Sequence, residues 1–89
     1  MYIRSQDRQE LINFQNAYIS IQNNVMHVKP FYGNAIRIAE YDSQEICEQV
    51  LNEIEGMLRQ TNSSNLIYRM PTREDMAFLS EKSQDNMIV

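Results

Sequence analysis

The feature that most constrains this chain is a change of hydrophobic period at residue 42. Before it, apolar residues alternate over short runs: Tyr18-Ile19-Ser20-Ile21, Val25 to Val28, and Ala35-Ile36-Arg37-Ile38-Ala39. Such alternation turns one side of an extended strand to a core and the other to water. After it, Ile46, Val50, Leu51, Ile54, Met57 and Leu58 recur at three- and four-residue spacing, the stripe of an amphipathic helix. A run of strands followed by one helix predicts the α+β class.

Two further apolar segments, Tyr2 to Ser5 and Glu10 to Phe14, flank the polar stretch Gln6-Asp7-Arg8-Gln9. Gln22-Asn23-Asn24 predicts a tight turn, because asparagine tolerates the left-handed backbone such turns need, and it makes Tyr18–Ile21 and Val25–Val28 a hairpin. Lys29-Pro30 ends the second strand or places it at an edge, since proline offers the ladder no N–H. Gly33-Asn34 is the next turn. Asp42 as N-cap with Glu45 three residues on predicts a capping box opening a helix over about 43–60. The stripe continues past Gly56, so the helix is read through it. Thr61 to Asn65 is a loop, Leu66 to Met70 a returning strand stopped by Pro71, and Thr72-Arg73-Glu74-Asp75 a second cap ahead of Met76, Phe78 and Leu79. The expectation is an antiparallel sheet of about five to six short strands, helix 43–60 packed on one face, and a short C-terminal helix. Residues 1–79 form one domain, and 80–89, which carry no pattern, fray.

An 89-residue chain is one domain with a thin stability margin. Its 43% hydrophobic and 22% charged composition argues against global disorder. Cys47 is the only cysteine, which excludes an intramolecular disulfide and fits a reducing, cytoplasmic setting. No apolar run approaches the roughly 18 residues of a membrane helix. Net charge is −4, with a slight positive excess over residues 1–41 and a strong negative one over 42–89. Phosphate recognition rests on Lys and Arg. Here Arg4, Arg8, Lys29 and Arg37 are scattered, so nucleic acid is disfavoured as a partner, as is a membrane.

Candidate chemistry is thin. His27 alternates with Met26 and Val28 and faces away from them, towards solvent, without an orienting acid or a metal-ligand companion at usual spacing. Cys47 lies near a helix start, which favours a thiolate, but Glu45 and Glu48 oppose it, and the role of a buried or half-buried small apolar residue fits better. Glu45, Glu48, Glu53 and Glu55 share no apolar pocket that would keep one protonated for acid–base work. With only Gly33 and Gly56, no phosphate-cradling loop exists. No catalytic residue, metal ligand or cofactor site is assigned. Of the six methionines, Met57, Met70 and Met76 stand at core positions. Tyr2, Tyr18, Tyr32, Tyr41 and Tyr68 are a residue type enriched at interfaces, and Phe31-Tyr32-Gly33 puts aromatic area on a hairpin tip.

The stretch Tyr2-Ile3-Arg4-Ser5-Gln6-Asp7-Arg8, then Leu11-Ile12-Asn13, the acidic helix from Tyr41 through Leu58, and Tyr68-Arg69-Met70-Pro71 together resemble short proteins of low-GC Gram-positive bacteria and their phages. The resemblance covers roughly residues 2–71 and implies a bacterial or phage cytosolic origin, with no activity attached. Thr72 to Val89 departs from that pattern. The functional expectation is a non-enzymatic protein-interaction module, homodimeric or with another protein partner, whose surface draws on Tyr18, Phe31, Tyr32, Glu48 and Glu55. The alternative is a small-molecule-binding or enzymatic domain with a pocket between sheet and helix.

Overall fold

The computed structural model describes residues 1–60 and 65–76. Its strands are β1 (Tyr2–Arg4), β2 (Leu11–Asn13), β3 (Ala17–Gln22), β4 (Val25–Pro30), β5 (Ile36–Glu40) and β6 (Ile67–Arg69), with helix α1 (Gln44–Leu58) between β5 and β6. A second helix, α2, opens at 73 and is described as far as 76. The class is α+β. The expected fraying of 80–89, and the roles given to Phe78 and Leu79, lie outside the described residues.

The strands form two three-stranded sheets rather than one, ordered β2-β1-β6 and β3-β4-β5. The second is an antiparallel meander. In the first, β1 pairs antiparallel with β2 but parallel with β6. Parallel neighbours need a long crossover, and the chain supplies one: β6 reaches β1 only after the meander and α1. Local alternation predicts each strand but carries no record of that return.

One core serves both sheets and both helices. Ile3 and Ile12 from the first sheet, Met26, Val28 and Ile38 from the meander, Ile46, Cys47, Val50 and Ile54 from α1, and Tyr68, Met70 and Met76 all belong to it. In the meander, cross-strand partners share a face. Ile19 opposite Val28 and Ile21 opposite Met26 turn to the core, so Tyr18 opposite Lys29 and Ser20 opposite His27 occupy the outer face.

Helix α1 starts one residue later than the capping box predicts. Ser43, with extended φ and ψ, is its N-cap, and the Ser43 hydroxyl accepts the Ile46 amide at 3.2 Å. Asp42 instead pairs with Arg73 at the mouth of α2. That second cap forms as expected: Thr72 Oγ1 accepts the Asp75 amide at 3.1 Å, and Asp75 Oδ2 accepts the Thr72 amide at 3.2 Å. Helix α1 does run through Gly56, where an added Cβ would meet nothing within 4 Å. Gly56→Ala should therefore stabilise the protein by about 0.5–1 kcal/mol through helix propensity and a less free unfolded chain. Urea denaturation checks this, and a loss of stability would show that the site is more crowded than its surroundings indicate.

The two sheets are joined by polar groups from the β1–β2 connection. Ser5 is buried, donates its hydroxyl to Asp7 Oδ1 at 2.6 Å and accepts the Glu10 amide at 3.0 Å. The Ser5 hydroxyl and the Gln9 amide hold the Asp7 carboxyl below its ordinary range. Arg8 adopts φ 67°, fixed by its amide to Ser5 O at 2.9 Å and its guanidinium to Met70 O at 3.1 Å. This turn presents Gln6 to β5. The Gln6 amide donates to Ile38 O at 2.8 Å, Gln6 Oε1 accepts the Glu40 amide at 3.1 Å, and Gln6 Nε2 donates to Glu40 O at 3.0 Å and Pro71 O at 3.2 Å. One side chain thus stands in for a neighbouring strand along part of the β5 edge.

Candidate interaction surface

The meander's hairpin fixes which backbone groups of β3 are occupied. Asn23 at φ 53° and Asn24 at φ 66° are the two left-handed residues of a type I′ turn. Such a turn closes on a hydrogen-bonded pair, here Gln22 with Val25. Bonded and non-bonded pairs alternate in an antiparallel ladder, so Ser20–His27 and Tyr18–Lys29 are bonded pairs as well. The Phe31 amide donating to Asn16 O at 3.3 Å continues the same phase. The N–H and C=O groups of Ile19 and Ile21 therefore point away from β4, and among the described residues they meet no backbone or side-chain partner.

The turn of this hairpin is bonded to the rest of the fold. Asn24 O accepts both the Tyr41 amide at 3.0 Å and the Cys47 thiol at 3.4 Å, which ties the turn to the first turns of α1. Pro30 completes β4 instead of ending it. Even-numbered β4 residues direct their amides at β5, whose ladder ends at Ile36 opposite Val28, so no bond is lost at Pro30.

At the far end of the same hairpin stand the aromatic candidates. Tyr18 is 57% exposed, Phe31 79% and Tyr32 93%. Phe31 and Tyr32, with Gln15, Asn16 and Pro30, line an open notch of about 310 Å³. Gly33 at φ 108° turns the chain back into β5, leaving the two rings outward. Tyr18 lies on the outer face of β3, diagonal in register to Phe31. Phe31 and Tyr32 thus share one notch, and Tyr18 stands at the same end of the hairpin.

Glu48 and Glu55 do not join them. Both lie on the exposed side of α1, which packs its buried stripe against the inner face of the meander. Glu48 accepts from Gln44 Nε2 at 3.5 Å, and Glu55 pairs with Arg59 at 3.1 Å. The tyrosines likewise divide. Tyr41 and Tyr68 are core residues, with Tyr41 donating to Pro71 O at 2.7 Å and Tyr68 to Glu53 Oε2 at 2.7 Å. Burial raises both phenols above their ordinary value of 10.0, helped at Tyr68 by the bond to Glu53. Raised folded values leave stability intact below pH 10.0 and remove it as pH rises further, where the unfolded chain ionises first. A spectrophotometric titration at 295 nm should show these two phenols ionising together with loss of near-ultraviolet ellipticity. Their ionisation in a still-folded protein would contradict the assignment.

Other reactive groups are placed as follows. Cys47 is fully buried, and burial, with Glu48 adding, pushes its thiol up. His27 is on the face opposite Met26 and Val28, as expected, yet half-buried rather than solvent-facing. Its Nδ1 and the Ser20 hydroxyl opposite are buried and unbonded, to each other included, so the serine lacks the base contact an activated nucleophile requires. Arg37, beside His27 in the register, pairs with Glu40 at 2.7 Å. Among the described residues no group of three or more His, Cys, Asp or Glu could hold a metal ion, and no helix is long and apolar enough to cross a membrane. A second notch of about 290 Å³ lies between the β1–β2 turn and β5, lined by Gln6, Asp7, Glu10, Arg37, Ile38 and Ala39. Neither notch lies between sheet and helix, where the alternative reading places its pocket.

Sequence reasoning missed Gln6 and the β3 edge, whose outward backbone groups have no partner among the described residues. The signal for the first was a run of short polar side chains, Ser5-Gln6-Asp7, of the kind that bond nearby backbone. For the second it was a strand, Ala17 to Gln22, without a single charge. No protein-family model, curated protein or solved structure matches the chain.

Proposed function

We propose that this chain is a non-enzymatic protein-interaction module that receives a protein partner at the Tyr18–Phe31–Tyr32 end of the β3–β4–β5 sheet. The observation that carries the reading is three exposed aromatic side chains gathered on a hairpin whose turn is fastened to the core. Aromatic rings offer large contact area with few rotatable bonds, and a rigid scaffold limits what ordering them on binding costs. The buried Cys47 and the unbonded Ser20–His27 pair support a binding role over a catalytic one. Glu48 and Glu55 are the competing surface, suited to a basic partner.

A photoreactive phenylalanine analogue placed at Tyr18, and separately at Glu48, tests the reading in cells. Irradiation should yield a discrete protein adduct from position 18 and none from 48. An adduct from 48 alone would move docking to the acidic helix face. No protein adduct from either would remove the interaction reading.

A further inference from the structure

We propose that the partner is a second copy of this chain, joined through antiparallel pairing of the two β3 edges into one continuous six-stranded sheet. The inference rests on the interaction-module reading and names its partner. It comes from comparing how the sheet edges are finished. Free edges invite pairing, and proteins blunt them by keeping them short, charging them or covering them. β2 and β6 are three residues each. β5 carries Arg37 and is covered at Ile38 and Glu40 by Gln6. β3 is six residues long, Ala-Tyr-Ile-Ser-Ile-Gln, with no charge and no proline, and nothing among the described residues bonds its outward backbone.

The same strand is self-complementary. A twofold axis perpendicular to the sheet at Ile19 sets Ile19 opposite Ile19 and Ala17 opposite Ile21. The outward N–H and C=O groups of these residues then bond reciprocally. Faces are preserved by that operation. Ile19 and Ile21, half-buried on the core side of each copy, extend the apolar layer across the axis, while Tyr18 of one copy stands opposite Ser20 of the other on the outer face. With no charged side chain in β3, no like-charge pair opposes the contact, a condition a strand bearing a lysine would not meet when paired with itself.

The test is sedimentation equilibrium on the full chain with Tyr18→Lys and Tyr18→Glu, both at an exposed position so that folding is retained, checked by circular dichroism. The wild type should sediment as a dimer at micromolar concentration. Each variant alone should weaken self-association at least tenfold, and an equimolar mixture should restore a one-to-one heterodimer. A wild-type monomer at all concentrations overturns the proposal, as does a dimer that neither charge disturbs. A monomer that still gives an adduct at position 18 with a different protein would overturn the self-pairing alone and leave the module reading standing.

Discussion

Gln6→Ala is expected to destabilise the protein by about 2–4 kcal/mol, because it leaves the Glu40 amide and Glu40 O without their side-chain partner and takes from Pro71 O one of its two donors, the Tyr41 hydroxyl remaining. A typical hydrogen bond contributes only about 1 kcal/mol net, but orphaning a partly buried donor or acceptor costs about 1–3 kcal/mol. Two such groups, the amide and carbonyl of Glu40, depend on one side chain. Gln6 also holds together parts of the chain far apart in sequence: the β1–β2 turn, the end of β5 and the segment between β6 and α2. Urea denaturation should show a lower midpoint with an unchanged slope. Gln6→Glu supplies a second reading of the same geometry. Its carboxylate could accept from the Glu40 amide but would face Glu40 O and Pro71 O without a donor. The glutamate variant should be destabilised at neutral pH and regain stability as acid protonates it, its folded pKa lying above the unfolded one. A loss below 1 kcal/mol for Gln6→Ala would mean that water replaces the amide at little cost.

Tyr41→Ala should cost about 3–5 kcal/mol, the range for removing a large aromatic from a core. Tyr41 is 2% exposed and lies between β5 and α1. Its backbone amide anchors the hairpin turn at Asn24 O, while its hydroxyl reaches Pro71 O. Truncation opens a cavity where the meander, α1 and the approach to α2 meet. Tyr41→Phe separates the two contributions, retaining the ring and removing one hydrogen bond, for a loss of about 1 kcal/mol. Domains of this kind have about 5–15 kcal/mol in total, so the alanine variant should be substantially unfolded in moderate urea while the phenylalanine variant is not. Equal losses for both would place the value of Tyr41 in its hydroxyl alone.

The strands and α1 were legible because each is a local pattern. Alternation in Tyr18–Ile21 and Ile36–Ile38 and the stripe from Ile46 to Leu58 need no knowledge of the rest of the chain. The turn at Asn23-Asn24 was legible for the same reason. Its register then determined more than the sequence shows, since the phase of one bonded pair decides that the backbone N–H and C=O groups of Ile19 and Ile21 point away from β4 while their side chains turn to the core. The division into two sheets was not legible, because β1 meets β6 only through a long return that leaves no periodic mark. The cap moved from Asp42 to Ser43 because both residue types serve equally well locally, and Arg73, distant in sequence, claims Asp42. In the sequence Gln6 reads only as one of a polar stretch between two apolar segments, because its partners lie 34 and 65 residues away.

Among the candidate surface residues, Tyr18, Phe31 and Tyr32 gather because strand register brings them to one end of one hairpin. Glu48 and Glu55 were grouped with them only by exposure, and a helix on the inner face of the sheet cannot share a surface with the outer face. The same register that assembles the aromatics turns the backbone groups of Ile19 and Ile21 away from β4, beside Tyr18. Interaction area and strand edge are thus consequences of a single hairpin.

The most direct measurement is amide hydrogen exchange at Ile19, Ser20 and Ile21 at two protein concentrations, one well above and one well below the association range. Ser20, bonded within the hairpin, should be protected at both. Ile19 and Ile21 should be protected only at the higher concentration, and should exchange quickly in the dilute monomer. Equal protection of all three in the dilute sample would show that the edge is already covered within one chain, and would contradict the account.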